Sequence, residues 1–237
     1  MYPKLNELMA LEMDTLDTIN SMVDFRKFDG LYRKASTRSL NRNAKNLDWH
    51  ANFVLDVRLR GDRRDANCAR WIHLGALLEG DARTNTVLRS SYSLVLFRRD
   101  NVHSPVIRKL HFDFEALSTR NNGEAKPSSH IQMCVKASPH LMDQGFNIQR
   151  LSAHYPGFEQ PRIPAMPISL ALIIDWLFTE FKTDRNALAI HSNNQWKNQV
   201  ISAEKVVLQP YFKAAADHLN SAGHASSPLV RKFIYGI

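Results

Sequence analysis

Two short runs carry the side chains best suited to chemistry. VIRKLHFDFEA sets His111, Asp113 and Glu115 two residues apart, and SHIQMCVKA sets His130 and Gln132 at the same spacing. In an extended chain, residues two apart share a face. Val106, Arg108, Leu110, Phe112 and Phe114 then lie on one side of the first run, with Lys109, His111, Asp113 and Glu115 on the other. In the second run, Ile131, Met133 and Val135 oppose His130, Gln132, Cys134 and Lys136. If the two runs are antiparallel neighbours, matching apolar faces force matching polar faces. That gathers His111, Asp113, Glu115, His130 and Gln132 on one surface, within reach of cross-strand pairing. Such a surface is either the wet face of a half-buried sheet or a site. If it is a site, His111, Asp113, His130 and Gln132 are its candidate catalytic residues.

Three chemistries fit those residue types. The histidines can serve as acid and base in metal-independent cleavage of an RNA phosphodiester. His111-x-Asp113 with a distant histidine, His154, and with Arg162 as a carboxylate anchor, has the make-up of a non-haem iron oxygenase triad. That reading needs a jelly roll of about eight strands. In the third, the face binds a partner and does no chemistry. A separate pattern, Arg185-Asn186 with His191 six residues after the arginine, resembles the R-x(4–6)-H motif of the HEPN ribonucleases. HEPN domains are all-helical, whereas the strand patterns here are not. The plain reading of Arg185 and His191 is a surface pair near a helix end.

The order HFDFEA, SSHIQ and PRIPAMPISLALIIDWLFTEF resembles a group of uncharacterised bacterial proteins from toxin–antitoxin-like and phage-defence gene neighbourhoods. In these, an aromatic–acid strand precedes a Pro/Ser-His-hydrophobic-Gln/His strand, and an Arg-Ile-Pro segment leads into a Pro-capped apolar helix. The resemblance covers about residues 106–182 and brings no established activity. It implies that His130, Gln132, Arg162 and Pro164 are positions to watch, and that a protein from the same gene module is a possible partner.

Charge points the same way. The net charge is +8 with 31 Lys and Arg against 23 Asp and Glu, a surplus that favours an acidic partner, nucleic acid first. Much of it sits in Tyr32–Lys45, where Arg33, Lys34, Arg38, Arg42 and Lys45 occur with no acid among them. Those five and Arg162 are the candidate nucleic-acid contacts, and the stretch reads as a basic loop or short helix. Two widely spaced cysteines, Cys68 and Cys134, make neither a disulfide framework nor a CxxC metal pair. No glycine-rich phosphate loop, GxSxG elbow or HExxH pair occurs, so the residues imply no cofactor. The acidic N-terminal run is unlike a signal peptide, and Asp175 and Glu180 interrupt the most apolar segment. A soluble cytoplasmic protein with no membrane partner is expected.

The elements that must position these residues follow from periodicity. Leu5–Val23 carries a helical apolar stripe, with Glu7, Glu12, Asp14 and Asp17 assigned to its polar back. Alternation then replaces it over ANFVLDVRLR, RWIHLGALLEGD, SYSLVLFRRDN and the two site runs, with FNIQRLSAHY as a possible sixth strand. The third of these is apolar on both faces, which suggests a central place. Turns and no helical pattern separate the runs, which predicts an antiparallel meander. The proline-rich segment 156–167 is expected to pack as extended chain without regular pairing. Ser169 is the expected cap of a broad apolar helix over ISLALIIDWLFTEF, and a further helix over Ser202–Asn220 kinks or restarts at Pro210. Trp71, Trp176 and Phe178 read as core. Trp49, beside His50, reads as the lead into a strand, with base stacking as its functional alternative. The prediction is one α+β domain over residues 1–237: a helical and basic segment at 1–48, an antiparallel sheet of five to seven strands at 49–156, and C-terminal helices from 157 onward packed on one face.

Overall fold

The computed structural model describes residues 3–22, 32–39, 46–60, 69–97, 106–116, 129–133, 163–180 and 185–221. For 32–39 and 46–60 it describes the backbone alone. The fold is α+β. Helix α1 (Leu5–Met22) comes first. The strands β1 (Tyr32–Ser39), β2 (Asn46–Arg60), β3 (Ala69–Asp81), β4 (Thr86–Phe97), β5 (Val106–Glu115), β6 (Ser129–Met133) and β7 (Ile163–Pro164) lie side by side in chain order. Every pairing is antiparallel. Of the strands expected, β3, β4, β5 and β6 are described with most of their side chains and form the part of the sheet that matters for the site. The helices α2 (Leu170–Glu180), α3 (Arg185–His191), α4 (Asn194–Ala203) and α5 (Gln209–Ser221) follow.

The register fixes the two faces. Ala76, Tyr92, Phe112 and Ile131 are successive partners across β3 to β6, and Leu74, Leu78 and Leu94 share their parity. This face meets the helices: Leu5, Leu8, Leu16 and Ile19 of α1 and Ile173, Ile174, Leu177 and Phe178 of α2 are buried with it in one core. Trp196 of α4 is fully buried and meets Phe178 edge-on at 5.7 Å between ring centres. Such a perpendicular arrangement suits the quadrupoles of two aromatic rings.

Helix α1 is docked at its start by the β3–β4 turn. Its first free N–H groups need acceptors. The Leu5 N–H donates to the Asn85 carbonyl at 3.0 Å and the Asn6 N–H to Asn85 Oδ1 at 2.9 Å. Asn85 Nδ2 returns a bond to Asn6 Oδ1 at 2.7 Å. Asn85 holds φ +54°, a left-handed conformation that asparagine tolerates better than most residues.

Several expectations are corrected. The start of the basic stretch is strand β1, neither loop nor helix. Residues Ile163 and Pro164 do pair, with Ile131 and His130. They can because the proline stands on a sheet edge, where a missing donor breaks no ladder. Trp176 is 42% exposed. The last helical stretch starts earlier than expected, at Asn194. Asn193 caps it by accepting from the Gln195 N–H at 2.8 Å. The restart near Pro210 takes the form of a π-helical turn at Glu204–Leu208, which absorbs the proline's missing donor just before α5. FNIQRLSAHY, the C-terminal tail, both cysteines, Arg42, Lys45, His154 and Arg162 lie outside the described residues, as do the side chains of Trp49 and Trp71.

Candidate functional site

β5 and β6 are adjacent and antiparallel, with His111 opposite Gln132 and Asp113 opposite His130. The parity argument thus brings all four residues to one surface, the sheet face away from the helical core. β4 supplies two further groups by the same register: Ser91 lies opposite Asp113 and Ser93 opposite His111. The backbone row through Asp113 runs Ser36, His50, Leu77, Ser91, Asp113, His130 from β1 to β6.

Asp113 is the centre of the cluster. The Ser91 hydroxyl donates to its Oδ1 at 2.5 Å. His111 Nδ1 stands 3.9 Å from Oδ1, and His130 Nε2 stands 3.8 Å from Oδ2. These are ion-pair distances, longer than a hydrogen bond. Desolvation pushes the Asp113 carboxyl upward. The His111 imidazole, the Ser91 hydroxyl and the His130 imidazole together outweigh it and hold the group below the usual carboxylate range. The result is an ionised carboxylate set between two imidazoles.

The surface is not wet, contrary to the plain reading of an alternating strand. His111 is 9% exposed and His130 4%, while the Asp113 side chain keeps 26%. Leu77, Val95 and Ser93 on the same face are also buried, although Leu77 and Val95 are not part of the core beneath the helices. Among the described residues, no three His, Cys, Asp or Glu form a set able to hold a metal ion. The ligand assigned to His154 and the anchor assigned to Arg162 lie outside them.

Of the candidate nucleic-acid contacts, Arg33, Lys34 and Arg38 lie on β1, at the edge of the sheet. Arg38 stands opposite Asp48, and the row continues through Glu79, Arg89 and Glu115. Arg33 and Lys34 stand opposite the uncharged Phe53 and Asn52.

Arg185 and His191 are the first and last residues of α3. His191 Nε2 lies 3.6 Å from Asp175 Oδ1 and 3.5 Å from Thr179 Oγ1, both on α2. Trp196 Nε1 donates to the same Asp175 oxygen at 2.8 Å. The histidine of the pattern that resembles the HEPN motif is therefore engaged in a helix–helix contact, within a fold built on a sheet.

The residue that sequence reasoning misplaced is Glu12. It lies on the core side of α1 and is fully buried. Tyr92 Oη donates to its Oε1 at 2.6 Å, and the Leu170 N–H, at the start of α2, donates to Oε2 at 3.1 Å. Burial raises its pKa to about 8, against the lowering effect of those two bonds.

Comparison with family models, with curated proteins and with solved structures gives no match. The roles of the residues are argued from their geometry alone.

Proposed function

We propose that this protein is a nucleic-acid-associated component of a bacterial defence or toxin-type module, acting by binding. The observation that carries this reading is the basic sheet edge. Arg33, Lys34 and Arg38 fall within eight residues that contain no acid, on the outermost strand of a chain with net charge +8. A sheet edge bearing cations can track a phosphate backbone without reading its sequence. The place in a defence or toxin-type module rests on the resemblance of residues 106–182. A protein partner encoded beside it belongs to the same proposal.

One observation favours a second reading, a metal-independent ribonuclease. Asp113 sits between two imidazoles, and an ionised carboxylate orients a histidine for proton transfer. The burial of His111 and His130 weighs against it, because a phosphodiester in a polymer must reach both rings.

Nucleic-acid affinity measured at several salt concentrations tests the first reading. Wild type is expected to bind RNA or duplex DNA with affinity that falls steeply as salt rises. The variant Arg33→Ala/Lys34→Ala/Arg38→Ala is expected to bind duplex with a log–log slope shallower by about two, taking about 0.9 per phosphate contact and discounting Arg38 for Asp48. Absence of binding, or an unchanged slope, removes the edge from the proposal. The same RNA, recovered and sized, separates the second reading. Cleavage that disappears in both His111→Ala and His130→Ala selects the enzyme, and intact RNA selects the binder.

A further inference from the structure

We propose that the Glu12 carboxyl is a proton-controlled latch. It fastens α1 to the sheet and to the start of α2 when protonated, and loosens that junction when it ionises. The geometry is that of a junction. Glu12 belongs to α1, its hydroxyl partner Tyr92 to the central strand β4, and its amide partner to Leu170, the first residue of α2. One carboxyl thus bonds three elements that are far apart in sequence, 80 and 158 residues from Glu12. It does so inside the core, with Leu8, Leu16, Tyr92 and Leu170 buried as fully as Glu12 or nearly so.

The surroundings make the bond sensitive to protonation. A charged carboxylate in an apolar interior requires a cation or several donors. The two donors here are a phenol and a backbone amide, and neither carries charge. From α4, the neutral Gln199 amide reaches this part of α1 and bonds the Leu11 carbonyl and Thr15 Oγ1. The charged residues of the π-helical turn, Glu204 and Lys205, are exposed. β3 presents Leu74, Ala76 and Leu78. Tyr92 is thus the titratable group that faces Glu12 among the described residues. Removal from water outweighs the two bonds that favour the anion, which is why the carboxyl titrates near 8. Proton loss near that pH leaves an anion under-solvated, and water reaches it only if α1 and the first turn of α2 move apart.

Hydrogen exchange of backbone amides in the full chain, corrected for the intrinsic pH dependence of exchange, tests the latch. Wild type is expected to lose protection in α1 and in the first turn of α2 progressively as pH rises from the ordinary glutamate range, and to level off above about 8, while the central strands keep theirs. Glu12→Gln cannot ionise and keeps one acceptor oxygen, its amide nitrogen being a donor where the second carboxyl oxygen accepts, so its protection is expected to stay flat through that range. Tyr92→Phe removes a bond that favours the anion, so its loss of protection is expected to level off at higher pH than in wild type. This second variant decides the matter if Glu12→Gln does not fold. Uniform protection in wild type through the range, the same loss in Glu12→Gln, or an unshifted levelling-off in Tyr92→Phe each overturns the proposal.

Discussion

Asp113 accepts a hydroxyl and faces two imidazoles, so its charge contributes to the stability of the sheet as well as to any chemistry there. Asp113→Asn is expected to lower stability by about 1.5–3 kcal/mol at neutral pH, the usual worth of a hydrogen bond to a charged group, read from the denaturant midpoint. The pH dependence has a definite sign. Because the folded-state value lies below that of the unfolded chain, the contribution is present above the ordinary aspartate range and is lost as pH falls through the folded value. Wild type should therefore approach the asparagine variant in acid, and a gap that stays constant would show that the charge is not the cause. At this scale the sequence was partly legible. Parity alone placed His111, Asp113, His130 and Gln132 together, because a strand allows only two faces. Ser91 and Ser93 escaped notice because their alignment with β5 depends on a turn length that periodicity does not give. Glu12 was legible and misread. At about 100° per residue, Leu8, Glu12, Leu16 and Ile19 fall on one side of the helix, and the acid lies in the middle of the apolar stripe. Residue type was allowed to outvote position.

The docking of α1 on the β3–β4 hairpin is a matter of element packing. Gly80 lies under Leu5: an added Cβ would come within 2.5 Å of both Leu5 Cδ atoms and 2.8 Å of the Thr86 carbonyl. The leucine can shift and the backbone carbonyl has little room to do so. Gly80→Ala is therefore expected to cost about 1–3 kcal/mol, as overpacking does, visible as a lower thermal midpoint. An unchanged midpoint would mean that α1 does not rest on this hairpin. The elements themselves were read well where they were long and periodic, as in α1, β3, β4, β5 and α2. β1 was missed because YRKASTRS has no apolar alternation, and its pairing with β2 is what makes it a strand. The Ile163–Pro164 pairing was missed because proline argues against strands in general and only weakly against edges.

For the whole molecule, turn-separated alternation with no intervening helix was enough to define an antiparallel α+β arrangement. Which sheet face the helices cover was also legible from the apolar side of VIRKLHFDFEA. The low exposure of the opposite face was not, since burial of polar positions such as His130 leaves no mark on a hydrophobic pattern. The order of assembly follows from the topology. Each strand of the meander pairs with its neighbour in the chain, so the contacts of β1 to β5 are short in sequence, and local contacts of that kind form quickly. Helix α1 has no such neighbour. Its contacts with α2 and α4 span 158 and 188 residues, through Leu170 and Gln199. During synthesis, the first helix therefore leaves the ribosome long before the helices that cover it exist. Until they arrive, its leucines and the apolar face of the sheet have only each other, and the nascent chain is most in need of a chaperone during that interval.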